Sequence, residues 1–340
     1  MRKLKCGVIG LGRLGSRHAS NLMASIPEAE LVAVSDVSQE ALDRFTETFP
    51  KVCAYLDYNL LLADKEIEAV IIASPTSMHA PLLQAAILAG KKVFCEKPLA
   101  MKLEEAKKLQ KLVDERQAFV QLGFMRRFDS GYAQAKKRID SGEIGKPVSI
   151  LAIGRDPGCP PLEFAKHSGG LIIDMAIHDI DLCRWFFGCE VTEVYAKGGV
   201  VRFPELEKIG DIDHASVSLQ FENGKLAILE VSRNALYGYD IRTEIVCENG
   251  ACFVGQLQKE PNIVLKPGLM AVSTMPGFLE RFADAYLNEM KVFVADVLAN
   301  RSKAAVGVSD GVASMEIAEA INISLKTNRP VKLAKEVIHG

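Results

Sequence analysis

The feature that most restricts the fold of this chain is a glycine-rich turn close to its start. Gly10, Gly12 and Gly15 form a G-x-G-x-x-G pattern. The pattern directly follows the apolar segment Leu4–Ile9 and opens a helical segment. In such a strand–turn–helix unit the three glycines permit a tight turn, close approach of a pyrophosphate, and close packing of helix on strand. The turn therefore predicts a phosphate-binding helix N-terminus, as in dinucleotide-binding domains, and the alternative is a glycine turn that binds no ligand.

Residues 4–122 alternate short apolar segments with amphipathic ones. The predicted strands are Leu4–Ile9, Leu31–Ser35, Ala69–Ala73, Lys92–Cys95 and Phe119–Leu122. The predicted helices are Leu14–Ser25, Gln39–Thr48, His79–Ala89 and Leu103–Glu115. Because parallel strands need crossover connections, this order predicts a parallel sheet with helices on both faces. We expect residues 1–122 to form a Rossmann dinucleotide-binding domain of α/β class.

The pattern changes after residue 122, where Asn-Gly pairs at 223–224 and 249–250 separate predicted strands and indicate hairpins. The predicted strands are Pro147–Ile153, Val191–Val201, Ala215–Phe221, Leu226–Val231, Asp240–Cys247 and Ala251–Val254. The predicted helices are Tyr132–Ser141, Leu171–Phe187, Glu280–Ala299 and Ser309–Lys326. We expect residues 123–340 to form an α+β domain for substrate binding and oligomerisation, with a large open, mostly antiparallel sheet.

Composition excludes several classes of function. The 340 residues suffice for two domains, and 41 basic against 43 acidic residues give a net charge of −2. This balance favours neither nucleic acid nor an anionic membrane as a partner, and no apolar run approaches the ~18 residues of a membrane span. The eight cysteines form no C-x-x-C pair and no Cys/His cluster with zinc spacing. We expect reduced core thiols, no metal site and a cytoplasmic protein.

Asp36 follows the second predicted strand, about twenty residues after the glycine turn. A carboxylate at this position accepts hydrogen bonds from the adenosine ribose hydroxyls, and it repels the 2′-phosphate of NADP. The chain is therefore expected to use NAD.

Lys97 lies in the segment Cys95-Glu96-Lys97-Pro98, at the end of a predicted parallel strand. Ligands of open α/β sheets bind beyond the carboxyl ends of the strands, and Pro98 disfavours helix at the residue before it. This position predicts that Lys97 points into the ligand crevice. The alternative is a surface lysine paired with Glu96.

Asp174 and His178 are four residues apart in a predicted helix, so they share one helix face. A carboxylate there orients the imidazole and favours its charged form, which makes the histidine a better base. Gly169 and Gly170 precede this segment, and further acids follow within a mostly apolar stretch. The pair predicts a catalytic role, and the alternative is a histidine packed in the core.

Four motifs together resemble the Gfo/Idh/MocA family, which includes glucose–fructose oxidoreductase and inositol dehydrogenase, over essentially the whole chain. The motifs are Gly10–Gly15, Glu96-Lys97-Pro98, Phe124-Met-Arg126-Arg127-Phe-Asp129 and Asp174…His178-Asp-Ile-Asp181. Within the family the chain looks most like the inositol 2-dehydrogenases. The resemblance implies NAD-dependent oxidation of myo-inositol to 2-keto-myo-inositol (scyllo-inosose), and a homotetramer assembled through the sheet of the second domain.

The resemblance and the motifs also define the candidate site. The catalytic set is Lys97, Asp174 and His178. The cofactor set is Gly10, Gly12, Arg13, Leu14, Gly15, Asp36, Ser74, Thr76, His79, Glu96, Lys97 and Met125. The substrate set is Lys97, Arg126, Arg155, Asp156, Asp174, His178 and Tyr237. Some inositol dehydrogenases carry a substrate-contacting histidine where this chain has Gly154, so the polyol is less closely defined than the reaction.

In the expected mechanism His178, with an ordinary pKa near ~6.5, removes the hydroxyl proton while Lys97 stabilises the developing alkoxide and Asp174 orients the imidazole. Several alternatives stay open. In one alternative the substrate is scyllo-inositol, an aldose or an amino-polyol. In another the chain is a non-catalytic nucleotide-sensing regulator. For Arg126 and Arg127 the alternative to a role in the pocket is a solvated basic pair. For Tyr237 and Tyr239 the alternative is packing on the face of a sheet.

Overall fold

A computed structural model describes residues 2–333, and the chain divides into two compact units. The first comprises the residues up to Phe128 together with Asp284–Ala313, and the second comprises Asp129–Ala283 with the described residues from Ser314 onward. The predicted α/β chain with an N-terminal Rossmann domain and a C-terminal α+β domain is confirmed by the two sheets described below.

The first unit contains a six-stranded parallel sheet with the strand order β3-β2-β1-β4-β5-β6. Its strands are β1 (Leu4–Ile9), β2 (Ala29–Ser35), β3 (Cys53–Tyr55), β4 (Ala69–Ile72), β5 (Lys92–Glu96) and β6 (Val120–Gly123). Its first helices are α1 (Arg13–Ser25), α2 (Gln39–Thr48), α3 (Tyr58–Ala63), α4 (His79–Leu88) and α5 (Leu103–Arg116). The strand order reverses between β1 and β4, which is where doubly wound sheets bind dinucleotides.

The second unit contains a seven-stranded mixed sheet with the order β12-β11-β7-β10-β9-β8-β15. The strands that follow β6 are β7 (Pro147–Arg155), β8 (Val191–Gly199), β9 (His214–Phe221), β10 (Leu226–Ser232), β11 (Asp240–Cys247), β12 (Gly250–Gly255), β13 (Val264–Lys266), β14 (Leu269–Ala271) and β15 (Val331–Lys332). Only β7 and β10 pair in parallel within this sheet, as far as the described residues go. Both predicted Asn-Gly hairpins are confirmed, since β9 pairs with β10 and β11 with β12.

The remaining helices are α6 (Ser130–Asp140), α7 (Leu162–Ser168), α8 (Ile177–Phe187), α9 (Phe278–Arg281), α10 (Ala283–Leu298) and α11 (Val308–Thr327). The predicted continuous helix Leu171–Phe187 is wrong in one respect, because a π-helical turn at Ile172–Ala176 precedes α8. The predicted helix Glu280–Ala299 is likewise divided at Phe282 into α9 and α10. No helix in the described part of the chain is long and apolar enough to cross a membrane.

The segment Asp284–Ala313 differs from the predicted division after residue 122, because it belongs to the first unit. Helix α10 places Met290, Phe293 and Val294 in the hydrophobic core beneath the parallel sheet. Burial of apolar side chains depends on which core the helix reaches, and chain order does not determine that.

The cysteines are all free. Four of them, Cys6, Cys95, Cys183 and Cys247, are buried as predicted, but Cys53 is exposed. Its strand, β3, is an edge strand of the first sheet, which explains why this thiol is not a core residue.

Candidate active site

The glycine turn after β1 has the geometry that a bound pyrophosphate requires. Gly10 has φ +93°, and a Cβ on this residue would lie 2.7 Å from the carbonyl oxygen of Ala73. A Cβ on Gly15 would lie 1.8 Å from the carbonyl oxygen of Gly10. At Gly12, by contrast, no described atom lies within 4 Å of a Cβ position. The turn is therefore closed on the side of the protein and open at Gly12, so these residues fit a dinucleotide.

Asp36 lies beside this turn, directly after β2. Its Oδ2 accepts a hydrogen bond from the backbone N–H of Leu11 at 2.7 Å, and its Oδ1 accepts one from Ser38 N–H at 2.8 Å. A carboxylate has about four acceptor sites, so both oxygens retain capacity for ribose hydroxyls. Of the neighbouring predicted contacts, Arg13 is exposed and Leu14 is half-buried.

His79, a predicted cofactor contact, is buried at the start of α4. Its Nδ1 lies 2.6 Å from the carbonyl oxygen of Pro98, and its Nε2 lies 2.9 Å from that of Ser74. Burial lowers the pKa of His79, although both carbonyl acceptors oppose this shift. His79 thus connects, through these two contacts, the loops that follow the carboxyl ends of β4 and β5. Ser74 and Thr76 beside it are half-buried, and direct contacts of these three residues with the cofactor stay predictions.

Lys97 directly follows β5 and is half-buried, whereas Glu96 before it is only 4% exposed. The Glu96 Oε1 lies 2.7 Å from the Nε2 of His18 on α1. Glu96 therefore lies in the interior of the first unit and not on its surface, while the role of Lys97 stays a prediction. The predicted contact of Glu96 with the cofactor stays a prediction.

Met125 and Arg126 lie on the 3₁₀ turn Met125–Phe128 after β6, and each is 3% exposed. Arg127 forms an ion pair with Asp310 at 2.9 Å. The alternative of a solvated basic pair is therefore wrong for both arginines.

Asp174 and His178 belong to the second unit and flank the junction between the π-helical turn and α8. Asp174 lies within the π turn with a side chain 20% exposed, and His178 lies in the first turn of α8 and is 6% exposed. A π turn adds a residue to the helical repeat, and such turns are frequent at functional sites. The carboxylate of Asp174 is thus partly exposed to solvent, whereas the imidazole of His178 is buried.

Arg233 is a functional candidate that the sequence analysis missed. It is fully buried, and its Nη1 donates to the Asp211 Oδ2 at 2.6 Å, while its Nη2 lies 3.7 Å from the Asp174 Oδ2. Asp211 also accepts a hydrogen bond from the backbone N–H of Leu171 at 2.8 Å. Arg233 and Asp211 therefore hold both the start of the π turn and the carboxylate of Asp174. The available signal was an arginine directly after the apolar strand β10.

Arg155 and Tyr237, predicted for the substrate pocket, contact each other. The Arg155 Nη1 donates to the Tyr237 hydroxyl at 2.9 Å, and this hydroxyl donates to the Asp240 Oδ2 at 2.7 Å. Arg155 also donates to Glu230 at 2.5 Å. Tyr237 is 46% exposed, whereas Tyr239 is buried and its ring packs edge-on against Phe282.

Gly154 and Arg155 lie on opposite faces of the second sheet. Gly154 faces α8, since a Cβ on it would lie 2.9 Å from the Asp179 Oδ2. Side chains alternate along a strand, so Arg155 projects from the opposite face of β7. Asp156, which follows β7, is hydrogen-bonded through its backbone to Ser232 and Ala235, at and just after the end of β10. Substrate contacts of Arg155 and Asp156 stay predictions.

The chain is similar to known proteins over nearly its full length. Residues 4–124 match the family model of the oxidoreductase family with an NAD-binding Rossmann fold (GFO_IDH_MocA), and residues 132–252 match the GFO/IDH/MocA C-terminal domain. It is 39% identical to a scyllo-inositol 2-dehydrogenase (NAD(+)) of Bacillus subtilis, over 97% of this chain and 96% of that protein. It is also 39% identical to a myo-inositol 2-dehydrogenase of Thermotoga maritima, over 98% and 100%. A crystal structure of Lactobacillus casei scyllo-inositol dehydrogenase with bound NAD(H) and scyllo-inositol superposes with a TM-score of 0.91 at 35% identity, covering 97% of this chain and 99% of that one.

Proposed function

We propose a reaction for this chain from the premise that it belongs to the Gfo/Idh/MocA family of NAD-binding oxidoreductases. The reaction is oxidation of one secondary alcohol of an inositol, with myo-inositol to 2-keto-myo-inositol as the leading case. The observation that carries this proposal is the Asp174–His178 pair at the π turn, with its carboxylate beside the buried guanidinium of Arg233. An apolar core does not require such an arrangement, and a proton-transfer site does.

The first unit supplies the binding of NAD. The chemistry that bound NAD would supply is acceptance of the hydride from the carbinol carbon. The backbone at Gly12 leaves room for the pyrophosphate, and the N-terminus of α1 presents free N–H groups to it. Asp36 accepts hydrogen bonds from the ribose and disfavours a 2′-phosphate.

The side chains of Lys97, Asp174 and His178 manage the proton of the substrate hydroxyl. His178 accepts this proton on a ring nitrogen. The Nζ of Lys97 donates a hydrogen bond to the same oxygen and stabilises its developing negative charge. Asp174 orients the imidazole, and Arg233 keeps the carboxylate of Asp174 in place. Arg126 and Tyr237 complete the proposed polyol contacts, with Arg155 bound to the Tyr237 hydroxyl.

A second candidate substrate is scyllo-inositol. It is favoured by the Bacillus subtilis relative, whose name specifies this isomer and whose identity to the chain equals that of the myo-inositol 2-dehydrogenase relative. The two isomers differ in configuration at one carbon, and oxidation at that carbon gives the same ketone from both.

The test is NADH formation by the purified protein over a panel of myo-inositol, scyllo-inositol, aldoses and an amino-polyol. We expect turnover of at least one inositol with NAD. Turnover of an aldose with no activity on any inositol would assign the chain to another substrate. NAD binding without turnover of any member of the panel would instead favour the nucleotide-sensing regulator.

We further propose a cytoplasmic homotetramer whose subunits associate through the open face of the seven-stranded sheet. This open face is defined by the exposed side chains Leu151, Leu226, Ile228, Val246 and Phe253. Exposed apolar patches on a sheet are typical of protein–protein contacts. Phe253→Glu places a charge at the most exposed of these residues, and light scattering should then detect a smaller oligomer than that of the wild type.

A further inference from the structure

Three ionisable side chains meet in the interior of the first unit. They are His18 on α1, Glu96 on β5 and Glu289 on α10, with residue exposures of 0%, 4% and 0%. One nitrogen or oxygen of each lies within 4.8 Å of the others. Two buried carboxylates beside one histidine carry more negative charge than the histidine compensates, and an uncompensated buried charge is costly. The cluster therefore requires a further positive charge or a proton.

Glu96 and His18 form a pair. The Glu96 Oε1 and the His18 Nε2 lie 2.7 Å apart, which is the distance of a hydrogen bond. The surroundings leave little freedom, since a Cβ on Gly123 would lie 2.8 Å from the other Glu96 oxygen. The His18 ring also packs edge-on against Phe94, with centroids 5.2 Å apart.

Glu289 differs, because neither of its carboxyl oxygens has a hydrogen-bond partner among the described residues. The neutral Gln121 from β6 reaches only the backbone carbonyl of Glu289, at 3.1 Å. The acidic and imidazole groups that face Glu289 are Glu96 from β5 and His18 from α1, and the ring of Tyr286 on α10 packs edge-on against His18. Burial, and secondly the charge of Glu96, raise the pKa of Glu289 well above its ordinary value of 4.5.

We propose that Glu289 is a neutral, protonated acid at neutral pH and that the His18–Glu96–Glu289 triad positions Lys97. The proposal rests on the role of Lys97 in the proposed function. Glu96 directly precedes Lys97 at the end of β5, so a fixed Glu96 side chain fixes the backbone from which Lys97 projects. An ionised Glu289 would place a second negative charge next to Glu96 without solvent to screen it, and the Glu96–His18 pair would be displaced.

A divalent cation is the other means of compensating two carboxylates, and the geometry disfavours it. Two ligands at about 2.1 Å from a tetrahedral zinc ion lie about 3.4 Å apart. The Glu96 and His18 atoms are closer than this, at 2.7 Å, which suits a shared proton.

Two readouts on the full-length protein test the protonation of Glu289 without any substrate. Infrared difference spectra between wild type and Glu289→Gln should contain the carbonyl band of a protonated carboxylic acid. Because the native state holds a proton that the unfolded chain releases above pH 4.5, wild-type stability should fall as pH rises through the native pKa. Glu289→Gln should lack this contribution, whereas Asp284→Asn, at an exposed position of the same helix, should retain it. Absence of the band, or equal pH dependence of wild type and Glu289→Gln, overturns the proposal.

A third readout tests the positioning of Lys97. Glu289→Ala should lower kcat by roughly 10- to 100-fold with little change in the Kd of NAD, because a displaced catalytic group costs rate more than binding. Glu289→Gln, which has the shape of the neutral acid, should restore most of this loss. Equal losses in both variants, or a loss on chelation of the wild type that matches Glu289→Ala, would contradict a protonated Glu289. If the wild type oxidises no inositol, the proposed function fails while the infrared and stability results still decide the state of Glu289.

Discussion

The NAD-binding unit (the cofactor half) and the unit that carries the proposed catalytic pair Asp174–His178 (the catalytic half) are built in opposite ways. In the first, Gly10, Gly12 and Gly15 shape the binding surface within one short stretch of backbone. In the second, Asp174 is held by Arg233, which is itself bound to Asp211, and these residues come from three separate segments. The binding surface of the cofactor half is thus formed by the backbone of one turn, whereas the catalytic half depends on charged side chains brought together from distant segments.

This difference determines how each half can fail. The glycine turn tolerates no Cβ at positions where backbone atoms lie against it, so its failure is steric. The charge cluster tolerates no loss of one partner, because the remaining charges stay buried without compensation. Four tests, ordered by the size of the expected effect, examine this contrast.

The largest effect is expected from His178→Ala. Loss of a general base should lower kcat by ~10²–10⁴-fold and leave the Kd of NAD nearly unchanged, since the cofactor half is intact. His167→Ala, at a histidine with a side chain 63% exposed, is the matched control and should retain kcat. Normal kcat in a folded His178→Ala protein would remove the catalytic role from this half of the molecule.

Arg233→Met tests whether the catalytic half depends on a buried charge network. We expect the free energy of unfolding to fall by about 3–5 kcal/mol, since Asp211 would remain buried without its cation. Arg301→Met is the control, because Arg301 also pairs with an aspartate but its side chain is 67% exposed. Its loss should cost at most about 1 kcal/mol. If chemical denaturation gives the same loss in the free energy of unfolding for both variants, burial does not make the Arg233 ion pair more important for stability than the exposed one.

Asp36→Ala tests a side-chain contact of the cofactor half, in which Asp36 accepts a hydrogen bond from Leu11 N–H in the glycine turn. The variant should weaken NAD binding by roughly 1.5–3 kcal/mol, the value of hydrogen bonds to a charged group, and should narrow the preference for NAD over NADP. Asp43→Ala, at an exposed aspartate of α2, serves as the control. Comparable kcat/KM values for NAD and NADP in the wild type would exclude the ribose contact.

The smallest effects separate two glycines of the same turn. Gly15→Ala should lower stability by about 1–3 kcal/mol, because its Cβ overlaps the Gly10 carbonyl. Gly12→Ala should leave the melting temperature unchanged and weaken only NAD binding, because its Cβ occupies space open to the pyrophosphate. Thermal melts with and without NAD measure both. A loss of stability in Gly12→Ala without NAD would contradict the open turn.

Sequence patterns predicted those elements whose structure repeats over several residues. The parallel strands around the glycine turn and the two Asn-Gly hairpins are confirmed, because alternation, periodicity and turn chemistry are local properties. The short elements β3, α3 and α7 were missed, since each is too brief to carry a periodic signal. The π turn at Ile172–Ala176 was also missed, because its sequence is compatible with a continuous helix.

By itself the sequence determined the order of strands and helices, the close contact between Gly15 and the Gly10 carbonyl, and the spacing of Asp174 and His178, since each depends on neighbours along the chain. Only the tertiary structure decided that Arg233 lies beside Asp174, that Glu96 turns inward to His18, and that α10 packs into the first core. The physical reason is that a buried charge or apolar face selects its partner by burial and electrostatic compensation, and these act across any distance in the sequence.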